Sequence, residues 1–119
     1  MIYNICPVSK PRMTQRDKWE KRPATTKYWN FKDDIKNLGI KIKLGGSHII
    51  FHMPMPKSWG RSKRLKMIGR PHQVKPDIDN LMKALMDALY KNDSSVWDCR
   101  ITKVWANDGK IEVKSLEGI

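Results

Sequence analysis

Apolar side chains recur at Leu81, Ala84, Leu85, Ala88 and Leu89, the spacing of one face of an amphipathic helix. This is the strongest periodic signal in the chain. Tyr28, Phe31, Ile35 and Leu38 repeat in the same way, with Thr25 or Thr26 placed to cap the start and Gly39 to end the helix. Between these helices the period changes. Ile40, Ile42 and Leu44 alternate, Gly45-Gly46 makes a turn, and alternation resumes from His48 to Met53, which predicts a hairpin. Pro54 and Pro56 close it, because proline cannot donate to a sheet ladder. Ile2 to Val8 predicts a short strand. Val96 to Trp105 is rich in β-branched and aromatic residues, Asn107-Asp108-Gly109 is a hairpin turn signal, and Ile111 and Val113 alternate after it. Ser9 to Thr25 and Lys57 to Lys75 are rich in basic and turn-forming residues and read as loops. The expected architecture is α+β: one small domain over residues 1–119, a mixed or antiparallel sheet, two main helices and a C-terminal β-hairpin.

Composition narrows the partner. The chain has 119 residues, 39% of them apolar. So short a chain buries a smaller share of its surface than a long one, which makes a dimer plausible. Its 24 Lys and Arg face 12 Asp and Glu, a net charge of +12. Such a field favours a polyanion, nucleic acid first and an anionic membrane surface second. The membrane reading is weak, since no apolar run approaches the roughly 20 residues of a spanning helix. Cys6 and Cys99 lack metal-ligand spacing and are expected to be buried free thiols. No secretory signal is evident at the start, so a reducing cytoplasm is the expected compartment.

The distribution of charge says more than its sum. From Lys41 through Pro76 there is no acidic residue, while the same stretch holds Lys41, Lys43, Lys57, Arg61, Lys63, Arg64, Lys66, Arg70 and Lys75. Immediately after it comes Lys75-Pro76-Asp77-Ile78-Asp79-Asn80. Pro76 disfavours a helical Lys75, so the chain should enter extended. In an extended segment Asp77 and Asp79 share one face while Ile78 points inward. Asp79 is the expected N-cap of the second helix. Two carboxylates held together repel, and a divalent cation relieves them. Magnesium takes oxygen ligands, commonly one or two carboxylates with waters and substrate phosphates. Lys83, a helical turn after Asp79, is placed to contact a scissile phosphate. Asp87 follows one turn on, and Asp93 lies before the next strand, where it would complete an acidic cluster.

Each of these has a plainer reading. An Asp-x-Asp at a helix start is often a cap plus a surface charge. Asp79, Lys83 and Asp87 also fit an ordinary salt-bridged helix face, and Asp93 a loop aspartate. His48 and His52, on a predicted strand with no third ligand nearby, are read as structural. His72, in the basic loop, is read as a phosphate contact. Trp59 is read either as packing or as a platform for an exposed base.

At Lys75-Pro-Asp-Ile-Asp-Asn-Leu-Met-Lys-Ala-Leu-Met-Asp-Ala-Leu89, followed by Asn92-Asp-Ser-Ser-Val96, the sequence resembles the RusA family of Holliday junction resolvases, especially its phage-type members. Lys10-Pro-Arg-Met-Thr14 and the basic run from Met53 to Lys75 are similar too, so the likeness covers most of the chain. It departs from many members in having Asn92-Asp93 where they have two acids, and in a shorter connection before that acid. The resemblance implies a metal-dependent endonuclease that works as a homodimer and cuts four-way DNA junctions by paired nicks, in a bacterial or phage-infected cytoplasm. It assigns the catalytic and metal-binding aspartates to Asp77, Asp79 and Asp93 and the functional lysine to Lys83. The implied ion is Mg2+, with Mn2+ a possible substitute, and neither a membrane nor a small-molecule cofactor is expected. The residues expected on DNA are Lys10, Arg12, Lys57, Arg61, Lys63, Arg64, Lys66, Arg70 and Lys75. Competing readings are a nucleic-acid-binding protein without catalysis, and a nuclease preferring forks or flaps.

Overall fold

The computed structural model describes residues 1–11, 23–90 and 95–115, apart from the side chain of residue 24. The elements run β1 (Ile2–Tyr3), α1 (Pro23–Leu38), β2 (Ser47–Pro54), α2 (Arg61–Met67), α3 (Ile78–Leu89), β3 (Cys99–Ala106) and β4 (Lys110–Ser115). The architecture is α+β with a mixed four-stranded sheet, in the order β1-β4-β2-β3.

Both amphipathic helices form. On α3 the predicted stripe is the buried one: Leu81, Ala84, Leu85 and Ala88 are at most 5% exposed, and Met82 joins them. On α1 Tyr28, Phe31 and Ile35 are buried, but Leu38 is 44% exposed and falls outside the stripe. That helix starts two residues before the expected threonine cap, at Pro23, a residue suited to a first helical position. It ends at Gly39, whose φ of 64° is the left-handed conformation that closes helices. The two helices pack on one face of the sheet, where Ile49, Phe51, Met53 and Ile111 complete the core.

The strand pairing departs from expectation. β2 pairs in parallel with β3, from Ser47↔Cys99 to Pro54↔Ala106, and antiparallel with β4 on its other side. The two C-terminal strands form about where alternation placed them, and residues 107–109 turn the chain between them. They do not pair as a hairpin, because β2 lies between them. The same arrangement removes the expected 40–53 hairpin. With both edges of β2 taken, residues 40–44 have no ladder to join. Ile40 and Ile42 are instead buried in the core, and Leu44 is 45% exposed. The N-terminal strand is only Ile2–Tyr3, paired with β4, rather than a run to Val8.

The link between β3 and β4 leaves little room. A β-carbon added at Gly109 would lie 2.6 Å from Cys6 Sγ and 2.8 Å from its Cα. Gly109→Ala is therefore expected to destabilise the protein by about 1–3 kcal/mol, the usual range for forcing an extra carbon into a filled space. An unchanged urea unfolding midpoint would contradict this packing.

The N-terminal segment is tied to the helices by one polar cluster. Lys10 Nζ lies 2.6 Å from Asp87 Oδ2, and Tyr28 donates its hydroxyl to the same oxygen at 3.0 Å. Burial alone would raise the Asp87 pKa. The hydrogen bonds from Lys10 and Tyr28 and the charges of Lys10 and Lys32 outweigh it and hold the carboxyl below its ordinary value. With the folded pKa below the unfolded one, this contribution is present above the ordinary carboxylate range and is lost as pH falls through the folded value. Asp87→Asn should therefore lower stability at neutral pH by about 1–3 kcal/mol and lessen the further loss on acidification. Parallel stability–pH curves for the two proteins would show that the cluster contributes nothing.

Candidate active site

The site is built at the start of α3. Asp77, not Asp79, is the N-cap, with extended φ −68° and ψ 146°. Its carbonyl accepts the first helical bond, from Leu81 N at 3.2 Å. Asp79 stands one residue inside the first turn. The two carboxylates are thus brought together across a cap and a helix start, rather than by alternation along a strand. Both lie at the positive end of the helix dipole. The Lys75–Pro76 peptide just before them is cis.

Asp77 holds the N-cap position without a capping side chain. An N-cap aspartate normally accepts a backbone N–H of the first turn, but Asp77 makes no side-chain capping bond. Both residues are exposed. Among the described residues, no hydrogen bond or ion pair reaches either carboxylate. They line one open groove of about 820 Å³, together with Lys75, Ile101, Thr102 and Lys103. Two unpartnered carboxylates in an open groove beside lysines form a hard-oxygen donor set of the kind Mg2+ accepts, with room for waters and a phosphate. Among the described residues there is no cluster of three His, Cys, Asp or Glu side chains. Asp93 lies outside those residues, as does Arg12.

Lys83 is exposed a turn along α3 and is not part of the groove lining. Asp87 does not belong to the acidic pair, since its carboxylate holds Lys10 and Tyr28. The salt-bridged helix face is therefore not what forms, and Lys10 is engaged with Asp87 with only 29% of its side chain exposed.

The basic segment is more ordered than a loop. Residues 61–67 form α2, which buries no side chain of its own. Arg64 anchors it by donating from Nε to Trp59 O at 3.0 Å and from NH2 to Pro56 O at 2.9 Å. Arg61, Lys63 and Lys66 are exposed on α2, and Lys57, Arg70 and Lys75 are exposed outside it. After α2 the chain follows the edge of β3. Trp105 N donates to Arg70 O at 2.9 Å and His72 N to Lys103 O at 3.1 Å. The segment thus leads directly to Asp77. Trp59 packs between Trp105, at 4.8 Å, and the Lys63 ammonium, at 4.2 Å, which is a packing role. His72 is 5% exposed with its ring 4.2 Å from Trp105, so it is a core residue and not a phosphate contact. Burial, with the Lys103 charge second, lowers its pKa.

His48 and His52 are structural, as read: their Nε2 atoms lie 2.8 Å from Thr102 Oγ1 and 3.0 Å from Glu112 Oε1. Both cysteines are free, but Cys6 is exposed and Cys99, at the start of β3, is only half-buried against the core.

The residue the sequence reading missed is Lys103. The signal was available. Ile101, Lys103 and Trp105 share one face of β3, the face that packs toward the helices through Ile49, Phe51 and Met53. A lysine on such a face needs partners, and Lys103 Nζ has two: it donates to Val74 O at 2.8 Å and Pro76 O at 2.7 Å.

Uncharacterized protein YqaN of Bacillus subtilis (strain 168) is 39% identical over 71 residues, covering 52% of this chain and 49% of that protein. The chain therefore spans about half the length of this curated relative. No solved structure matches it. Among the described residues no helix is long and apolar enough to cross a membrane. The family described as Endodeoxyribonuclease RusA matches residues 4–115, from just after β1 to the end of β4, and the chain belongs to that family of DNA-cutting nucleases.

Proposed function

We propose that this protein is a magnesium-dependent endodeoxyribonuclease that resolves four-way DNA junctions by paired symmetric nicks, working as a homodimer. The observation that carries the reading is the pair Asp77 and Asp79: exposed, without partners among the described residues, and set where an acid-free basic segment meets the start of α3. Family membership supports DNA as the substrate. Asp77 and Asp79 would hold the ion, with Asp93 as a third ligand and Mn2+ as a substitute for Mg2+. Bound there, a divalent ion supplies water activation and charge neutralisation at the phosphate.

The chain's own groups do the rest. Lys83 offsets charge that develops on the phosphate, and Lys75 at the groove rim draws the backbone in. The exposed bases of α2, with Lys57 and Arg70, grip neighbouring phosphates. Two-fold symmetry of a dimer matches the approximate two-fold symmetry of a four-way junction and presents two equivalent sites to opposed strands. A binding protein without catalysis would gain nothing from two free carboxylates that repel phosphate.

The test is cleavage of junction, fork, flap and duplex DNA at one fixed salt, since binding is strongly salt-dependent. The junction should be cut fastest, at symmetric positions. Faster cutting of forks or flaps would reassign the substrate. The α2 contacts have their own test. Replacing Arg61, Lys63 and Lys66 with glutamine should flatten the dependence of log affinity on log salt by about 0.9 per phosphate contact removed. An unchanged slope would mean that α2 faces away from DNA.

A further inference from the structure

We infer that Lys103 is a positioning residue for the acidic pair, a role that rests on the metal-site reading above. Lys103 reaches the site from β3, far from Asp77 in sequence. Its ammonium donates to the carbonyls of Val74 and Pro76, at 2.8 and 2.7 Å, and its own carbonyl accepts His72 N at 3.1 Å. Three hydrogen bonds from one residue thus fix the segment 72–76, and Asp77 follows directly. Pro76 has no N–H, so its carbonyl is its only backbone handle, and Lys103 takes it. Bonds from a charged donor are about twice as strong as neutral ones. Asp77 lacks the capping bond that would otherwise hold it, so its place depends on the backbone that leads into it.

Lys103 also lines the groove that Asp77 and Asp79 share. There its charge eases the mutual repulsion of the two carboxylates before an ion arrives. Partners that orient metal ligands without touching the metal typically change metal affinity by about 10–100-fold when removed. Lys103 is expected to act in this way.

The test compares wild type, Lys103→Met and Lys103→Arg. Met keeps an unbranched apolar stem as far as Cε without the donors, and Arg keeps the donors. Mn2+ affinity is measured by electron paramagnetic resonance, junction affinity in EDTA by gel shift, and folding by thermal unfolding. Lys103→Met should bind Mn2+ about 10–100-fold more weakly with junction affinity unchanged, and Lys103→Arg should recover most of the loss. Wild-type Mn2+ affinity in Lys103→Met would overturn the proposal. So would an equal loss of junction affinity, which would make Lys103 a DNA contact. A lowered unfolding midpoint with no rescue by arginine would reduce it to a structural residue and also overturn it. If wild type itself binds no Mn2+, the metal-site reading fails first, and that outcome is distinct from all the others.

Discussion

Asp79→Asn is expected to slow junction cleavage by about a thousandfold, a barrier change of about 4 kcal/mol, while junction binding in EDTA holds or strengthens. Asparagine fits the same space, and the residue is exposed in the first turn of α3, so the fold has no reason to change. What is lost is one of the anionic oxygen donors proposed to hold the ion. Binding behaves oppositely because removing a negative charge near a phosphate relieves repulsion when no ion is present. Single-turnover cleavage and gel shift on the same preparations separate the two effects. Asp77→Asn should behave alike, since its carboxylate is not used to cap the helix. A variant that cuts at nearly the wild-type rate would return the pair to surface charges.

Lys83→Ala is expected to lower the cleavage rate by about a hundredfold or more, the usual loss when one group that stabilises developing charge is removed. Junction affinity should stay nearly intact. Lys83 is exposed, and alanine is the better helix former, so α3 should persist. Lys83 is not on the groove lining, which puts it a helical turn from the carboxylates, where a phosphate lying along α3 would meet it. A large fall in affinity with the rate preserved would make it a general backbone contact instead.

How much of this was legible in the sequence follows from the physics of each feature. The stripe of α3 was legible because helical periodicity is local, and Leu81, Ala84, Leu85 and Ala88 are all buried. Strand order was not, because choosing a partner is a tertiary event. Nothing between Ile40 and Met53 says that β2 will take β3 on one side and β4 on the other. The acidic pair was legible as a pair, but its geometry was not: the cap fell on Asp77 and carried its neighbour into the helix. Charge alone did not show that Lys10 and Arg64, expected on DNA, have partners within the fold. The first holds Asp87, and the second holds the carbonyls of Pro56 and Trp59. His72 and Trp59 lie in a basic stretch but pack on Trp105, because aromatic burial outweighs the polarity of their neighbours. Lys103 was readable only after β3 was given an inward face.

The exposed basic helix, the edge segment and the acidic pair form one continuous path. Arg64 fixes the start of that path and Lys103 its end, through hydrogen bonds to backbone carbonyls. On the proposed function, that path would lead from grip to chemistry.

The most direct measurement is cleavage of an end-labelled four-way junction by the wild-type protein with EDTA, with Mg2+ and with Mn2+, alongside Asp79→Asn. The account predicts paired symmetric nicks from the wild type only when a divalent ion is present, and none from the variant. A wild-type protein that binds the junction yet cuts it at no concentration of either ion would contradict it.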